Sequence, residues 1–394
     1  MPATEPGPPV ETGLDRLVRE GCAAIKGRRV GLITNHSAVD HRLDHAIDLL
    51  LAHPDIQLTA LFGPEHGVRG SAQAGEIVGS EVDGQTGLPA HSLYGDTYRP
   101  TPDMLRDVEC LVYDIQNYGV RYETYASTLL HCMRAAAEAG LPFVVLDRPN
   151  PLGGVVVQGN MLEPGWESFV GAFRSPVRHG LSVGEHAGML NEELALSLDL
   201  TVIPMRGWQR AMWYDQTGIP WMPLSPNMPA LATLILYPGT CLLEGTNLSE
   251  GRGTTIPFEV VGAPWLRAEA LVRRLRAANL PGIGFRSTPF VPVFSKHAGQ
   301  VCQGVQMHIL DRDQLDASAL GVHLLAALRE IHPVEFAWRP PSKESNRAPI
   351  DLLAGGPHLR EQLDRDLPAE QIVASWKPDL QGFRTARKAY LLYE

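Results

Sequence analysis

The chain has 394 residues, 44% of them hydrophobic and 20% charged, which is an ordinary globular composition with core enough for about two or three domains. Its net charge is −10 with no long basic run, which argues against nucleic acid as a partner; an anionic ligand must then be held by a local cluster of arginines working against the overall field. Five widely spaced cysteines without a C-x-x-C offer no metal framework and fit free thiols in a reducing compartment.

The N-terminus, "MPATEPGPPVETG", is Pro-rich and lacks the basic and apolar blocks of a signal peptide, so residues 1–12 read as a disordered tail and the location as cytoplasmic. No apolar stretch reaches the ~20 residues of a membrane helix. From there the pattern alternates. "RRVGLIT" (28–34) is a strand ending at Asn35 and His36, and 43–53 has helical spacing up to Pro54. "IQLTALF" (56–62) is a second strand, followed by Gly63-Pro64 and then Glu65 and His66. "CLVYDI" (110–115) is a third, ending at Asp114, Gln116 and Asn117. A helix over 125–139 is closed by Gly140, and "PFVVLD" (142–147) is a fourth strand ending at Asp147, Arg148 and Asn150. A helix over 183–197 and a strand near 201–205 continue the layer. Apolar strands alternating with helices predict an α/β fold, a Rossmann-like, mostly parallel sheet over residues 13–265. From residue 266 to 394 the style changes. A helix at 268–280, two alternating strands and a helix at 318–330 predict a smaller α+β domain that closes the cleft, with a loop-rich stretch around 335–359 folding back over it.

In a parallel sheet ligands sit outside the carboxyl ends of the strands. Asn35, Glu65, Asp114 and Asp147 all fall at such ends. Glu65 stands on a tight turn next to glycines, as a proton donor near a ligand does, though Gly67 and Gly70 also suit an ordinary turn. "DIQNYGVRYETY" (114–125) joins a carboxylate and two amides, which bind sugar hydroxyls, to tyrosines that either cover a sugar face or sit in the core. "EGTNLSEGRGT" (244–254) is dense in polar groups, Glu244, Asn247, Glu250 and Arg252, without the lysine of a P-loop; it is a ligand loop or a turn network. No dinucleotide or P-loop fingerprint is present. "GLSVG" (180–184) matches the nucleophile-elbow pattern, but "RSPVRH" before it is no apolar strand, and Ser182 with Glu185 reads better as a capping box. His41 and His45 stand four apart, as metal ligands or as a solvated helix face, and no H-E-x-x-H occurs.

Taken together, "GLITNHSAV", "LFGPEHGVRG", "TGLPAHSLYG", "DIQNYGVRYETYAST", "VLDRPNPLGG", "PVRHGLSVGEHA", "SPNMP", "LYPGTCLLEGTNLSEGRGTTIPFEVVGAPW" and "KHAGQVCQGVQMHI" resemble the NamZ, or YbbC-like, family of exo-β-N-acetylmuramidases, once a domain-of-unknown-function family. The resemblance runs from about residue 13 to the C-terminus. It implies an active site between the two domains and exo-hydrolysis of β-1,4-linked N-acetylmuramic acid from peptidoglycan fragments, with no metal, nucleotide or other cofactor. The family glutamate of "GPEHG" falls on Glu65, the expected acid, its pKa raised by burial at the strand rim, with His66 turned away or neutral. Where the family usually reads D-I-Q-D this chain has Asn117, which weakens a catalytic role at that position. Members are often exported or lipid-anchored, a feature with no counterpart at this N-terminus.

A glycosidase needs a second group beside the acid. Asp114 is the expected one, with Glu244 as runner-up and Tyr125 orienting the acid or water. The lactyl carboxylate of muramic acid calls for a forked cation: Arg121 first, then Arg252, then Arg69. Asn35, His66, Gln116, Asp147, Arg148, Asn150, His179 and Asn247 complete the expected binding surface. Two other readings stay open, a serine esterase or amidase using Ser182 and a non-catalytic muropeptide-binding protein.

Overall fold

The apolar runs at 29–34, 57–63, 110–114, 143–146 and 200–203 pair into one sheet, as continuous buried strands must when both faces are covered. A computed structural model of the chain describes residues 9–73, 75–341 and 346–394. The first layer contains α1 (Gly13–Arg19), β1 (Arg29–Thr34), α2 (Ala46–Ala52), β2 (Gln57–Gly63), β3 (Glu81–Val82), β4 (Pro89–Ser92), β5 (Cys110–Asp114), α3 (Thr124–Ala139), β6 (Phe143–Leu146), β7 (Gln158–Met161), β8 (Pro176–Arg178), α4 (Val183–Glu193) and β9 (Leu200–Ile203). The sheet order is β3-β4-β2-β1-β5-β6-β9, parallel throughout except for the edge pair β3–β4. Side chains alternate across it. Leu32, Leu61 and Val112 pack under α1 and α2, whereas Ile33, Phe62 and Tyr113 pack under α3 and α4.

Local chemistry sets the helix ends. Thr12 and Asp15 form a capping box on α1, and Ser182 and Glu185 form another on α4. The helix expected at 43–53 begins only at Ala46, because His45 Nδ1 accepts from Ile47 N–H and caps it. His41 instead faces Asp15, its Nδ1 2.8 Å from Oδ1, so the two histidines do not act as a pair. The helix expected at 183–197 stops at Glu193, with Ala195 and Ser197 in left-handed conformation. Of the expected disordered tail, residues 1–8 lie outside the described residues, and the rest is ordered: Val10 N–H donates to Thr217 O (2.8 Å), Glu11 bridges Arg206, and Thr12 caps α1.

The second unit contains α5 (Leu231–Thr240), β10 (Val260–Ala263), α6 (Ala268–Ala277), β11 (Ile283–Phe290), β12 (Cys302–Ile309), α7 (Ala317–Ile331), α8 (Pro349–Ala354), α9 (His358–Asp364), α10 (Ala369–Ser375) and α11 (Lys377–Ala386). Its antiparallel sheet runs β10-β12-β11. β10 lies upstream of the boundary expected at residue 266, and α5 packs on α7, so elements of this unit begin earlier in the chain. The stretch 335–359 is not all loop. Residues 342–345 lie outside the described residues, but α8 is a helix that packs on the turn at Cys241–Gly245. No helix among the described residues is long and apolar enough to cross a membrane.

Candidate active site

β2 ends where Gly63-Pro64 turns the chain. His66 (φ 75°) and Gly67 (φ 77°) are both left-handed, and Gly67 N–H donates to Pro64 O (2.9 Å). His66 is bent away, its Nδ1 2.8 Å from Ala72 O. Glu65 is left facing a cavity. Its Oε1 accepts from Gly75 N–H and its Oε2 from the Thr124 hydroxyl, each at 2.8 Å. The Tyr94 phenol hydrogen-bonds the same carboxylate; burial first, and then the Glu65 charge, push that phenol's pKa up.

The cavity has a volume of about 800 Å³. Glu65, Gln73, Tyr94 and Thr124 line it from the first layer, and Tyr237, Glu244, Arg252 and Phe294 line it from the second unit. Arg252 stands between Gly251 (φ 83°) and Gly253 (φ 80°). It donates to Glu244 Oε1 (2.7 Å), lies 3.2 Å from Glu250 Oε1, and covers the Phe258 ring at 5.0 Å. Burial opposes its charge, but Glu244 and Glu250 outweigh burial and hold the guanidinium above its usual pKa. Lys296 reaches Glu250 at 2.8 Å, tying the segment after β11 to this loop. A Cβ at Gly253 would sit 2.6 Å from Phe294 O, so the close approach of these two segments requires glycine there.

Of the residues expected at the site, Glu65, Glu244 and Arg252 line this cavity. The others are placed elsewhere, each for a visible reason. Asp114 is fully buried and its two oxygens accept from Arg148 Nε (2.5 Å) and Nη2 (3.0 Å). Burial works against the Arg148 charge, yet Asp114 outweighs it and holds the pKa above the ordinary value. That pair, with Asn35, fills the switch point between β1 and β5 where a Rossmann-like sheet usually receives its ligand. Asn35 Oδ1 accepts from Ser37 N–H and Oγ–H, and Gln116 Nε2 donates to Asn117 O and Pro149 O. The Tyr125 hydroxyl donates to Leu224 O (2.7 Å). Arg121, the first expected anion reader, is buried and donates to four carbonyls, those of Asn160, Ser175, Leu353 and Ala354; burial pushes its pKa down to about 10. Arg69 grips Asp83 (2.9 Å), whose carboxyl this ion pair holds down to about 2.

The remaining residues are structural too. Asn150 Nδ2 donates to Leu181 O, and Asn247 Nδ2 to Glu335 O. His179 Nδ1 accepts from Leu181 N–H, its ring 5.1 Å from that of His186, and burial holds its pKa well below the usual range. Asp147 accepts from Gly184 N–H (2.7 Å), Ser182 Oγ–H (2.8 Å) and the Tyr393 hydroxyl, while burial pushes its pKa up to about 6. Ser182 is therefore a buried helix cap bonded to a carboxylate, with no imidazole on its oxygen among the described residues. That removes the geometric basis of a serine hydrolase.

Tyr94, Thr124 and Asn227 were not foreseen. Tyr94 closes "HSLY" and Asn227 centres "SPNMP", so both lie inside stretches that carry the family resemblance; Thr124 opens α3 beside the tyrosines.

Asn117 has a structural partner. Its Nδ2 donates to Glu123 Oε1 (2.9 Å), and Glu123 also accepts from Tyr118 N–H. Burial, opposed by these donors, pushes the Glu123 pKa up to about 8. Between the ordinary carboxyl range and pH 8 the folded state binds a proton that the unfolded state lacks, so stability falls as pH rises through that window. Glu123→Gln keeps the shape, with the Asn117 amide turned over to accept from the new donor. Melting followed from pH 5 to pH 8 should show a smaller loss in the variant than in the parent; equal slopes would mean that Glu123 is not the titrating group.

Two family descriptions match the chain one after the other: "Exo-beta-N-acetylmuramidase NamZ, N-terminal" over residues 30–232 and "Exo-beta-N-acetylmuramidase NamZ, C-terminal" over residues 235–393. The chain is 45% identical over 386 residues to the peptidoglycan beta-N-acetylmuramidase NamZ of Bacillus subtilis (strain 168), spanning 98% of this chain and 92% of that protein. Two crystal structures of DUF1343 family proteins from Bacteroides fragilis NCTC 9343 are similar. One superimposes with a TM-score of 0.92 at 40% identity, covering 99% of this chain and 100% of the other. The second has a TM-score of 0.76 at 30% identity, covering 98% and 99%.

Proposed function

The chain belongs to the exo-β-N-acetylmuramidase NamZ family, and from that premise we propose that it removes terminal, non-reducing β-1,4-linked N-acetylmuramic acid from peptidoglycan fragments, in cell-wall turnover and recycling. It is a glycoside hydrolase. The observation that carries the reading is Glu65, an acid at the wall of a cleft of about 800 Å³ between the two units, with both oxygens oriented by neighbours. In this mechanism Glu65 gives its proton to the glycosidic oxygen as the bond from that oxygen to the anomeric carbon breaks. Tyr94 and Thr124 hold the acid in place. Glu244, which lines the same cavity, takes the role first expected of Asp114, as the second carboxylate. Arg252 is the cation among the lining residues, so it takes the role first expected of Arg121 and reads the lactyl carboxylate. All five cysteines are buried free thiols, which supports the cytoplasm as the compartment.

Three chromogenic substrates test the reading: an aryl β-N-acetylmuramide, the corresponding glucosaminide and a short-chain ester. Muramide cleavage is expected. A charge-assisted hydrogen bond contributes roughly 1.5–3 kcal/mol, so Arg252→Met should lower muramide turnover by about tenfold or more and leave the residual glucosaminide turnover nearly unchanged. Ser182→Ala should lower stability by ~0.5–2 kcal/mol as a lost cap and keep the turnover of the folded fraction. Ester cleavage abolished by Ser182→Ala, or sugar binding without turnover, would overturn the proposal.

A further inference from the structure

Asn227 is 4% exposed, lines the cavity, and its side-chain Nδ2 finds no acceptor among the described residues. Its backbone is well fixed. Leu224 O accepts from the Tyr125 hydroxyl, Met228 N–H donates to Ser225 O (2.9 Å), Met228 is buried, and Pro226 and Pro229 restrict the chain on either side. Native structures rarely leave a buried amide donor unpaired, and an unpaired donor on a rigid segment at a cavity wall calls for an acceptor that arrives with the ligand.

We propose that Asn227 is a specificity-determining residue that pairs with the 2-acetamido group of the bound sugar. Its Nδ2–H donates to the acetamido carbonyl oxygen. This rests on the muramidase reading and adds to it the group by which the sugar is recognised at C2. Three features favour the acetamido group over the rest of the sugar. The lactyl carboxylate is charged and has Arg252. A side-chain amide, with one donor and one acceptor side, is the complement of a secondary amide. The same cavity offers apolar surface for the acetyl methyl, from Tyr122, Tyr237 and Leu353.

The test uses two aryl β-glycosides that share the lactyl ether and the leaving group and differ only at C2, one carrying acetamido and the other hydroxyl. The parent enzyme should prefer the first. Asn227→Leu, close in size, should lose about 10- to 100-fold in kcat/KM on the acetamido substrate and about twofold or less on the hydroxyl substrate, so the preference collapses. Because the Nδ2 makes no bond among the described residues, the melting temperature should not fall, an outcome that a structural asparagine would not give. Asn227→Asp, which also removes the donor, gives the same reading should the leucine variant fold poorly. An unchanged preference in both variants, or equal losses on both substrates, overturns the proposal while the muramidase reading stands. A parent enzyme that cleaves neither glycoside overturns the muramidase reading, and this inference falls with it.

Discussion

Glu65→Gln keeps the fold and lowers kcat on an unactivated disaccharide by ~10²–10⁴-fold, the usual contribution of a general acid. The change is nearly isosteric. The new amide still accepts one of the two hydrogen bonds that Gly75 and Thr124 donate, and the Thr124 hydroxyl can rotate to accept the other. What is lost is the proton for the leaving oxygen. An aryl glycoside with a good leaving group needs little protonation, so the deficit should shrink sharply on that substrate. Circular dichroism and melting establish the fold, and product release from the two substrates gives the ratio. A variant that keeps most of its disaccharide turnover would place the acid elsewhere.

Asp114→Asn and Glu244→Gln should give opposite results. Asp114 and Arg148 form a buried ion pair, and removing one partner leaves an uncompensated charge, at a cost of about 3–5 kcal/mol. The folded fraction of Asp114→Asn should nevertheless turn over at close to the parent rate, because Asp114 does not line the cavity. Glu244 is partly exposed, a glutamine there can still accept from Arg252, and Glu250 remains to neutralise that guanidinium. Glu244→Gln should therefore melt near the parent while losing turnover. Denaturant titration combined with rates per folded molecule separates the two carboxylates. A stable Asp114→Asn without activity would return the second catalytic role to Asp114.

The parallel sheet was legible because buried strands read as apolar runs and their helices as periodic ones, and β1, β2, β5, β6 and β9 lie where those runs fall. The short edge strands β3 and β4 carry no such run. The place of Glu65 at the cavity wall was legible because a strand end, a turn and an acid coincide in ten residues. The orientation of Asp114 is not legible for a related reason: a strand-end carboxylate faces either the cleft or the neighbouring strand end. The choice depends on Arg148, which belongs to the next strand and not to the local sequence. Arg121 shows the same limit more strongly. The four carbonyls that occupy it come from residues 160, 175, 353 and 354, a convergence that no local pattern carries. Arg252 was easier to place, since its flanking glycines mark a loop that approaches another segment closely.

Exo-muramidase action is measured most directly on two peptidoglycan tetrasaccharides of the same alternating sugars, one with N-acetylmuramic acid at the non-reducing end and the other with N-acetylglucosamine there. Products are separated and identified by mass after incubation with the enzyme. An exo-muramidase should release free N-acetylmuramic acid from the first, leaving a trisaccharide, and should leave the second intact. Disaccharide products from either substrate, or release of N-acetylglucosamine from the second, would rule out an exo-muramidase.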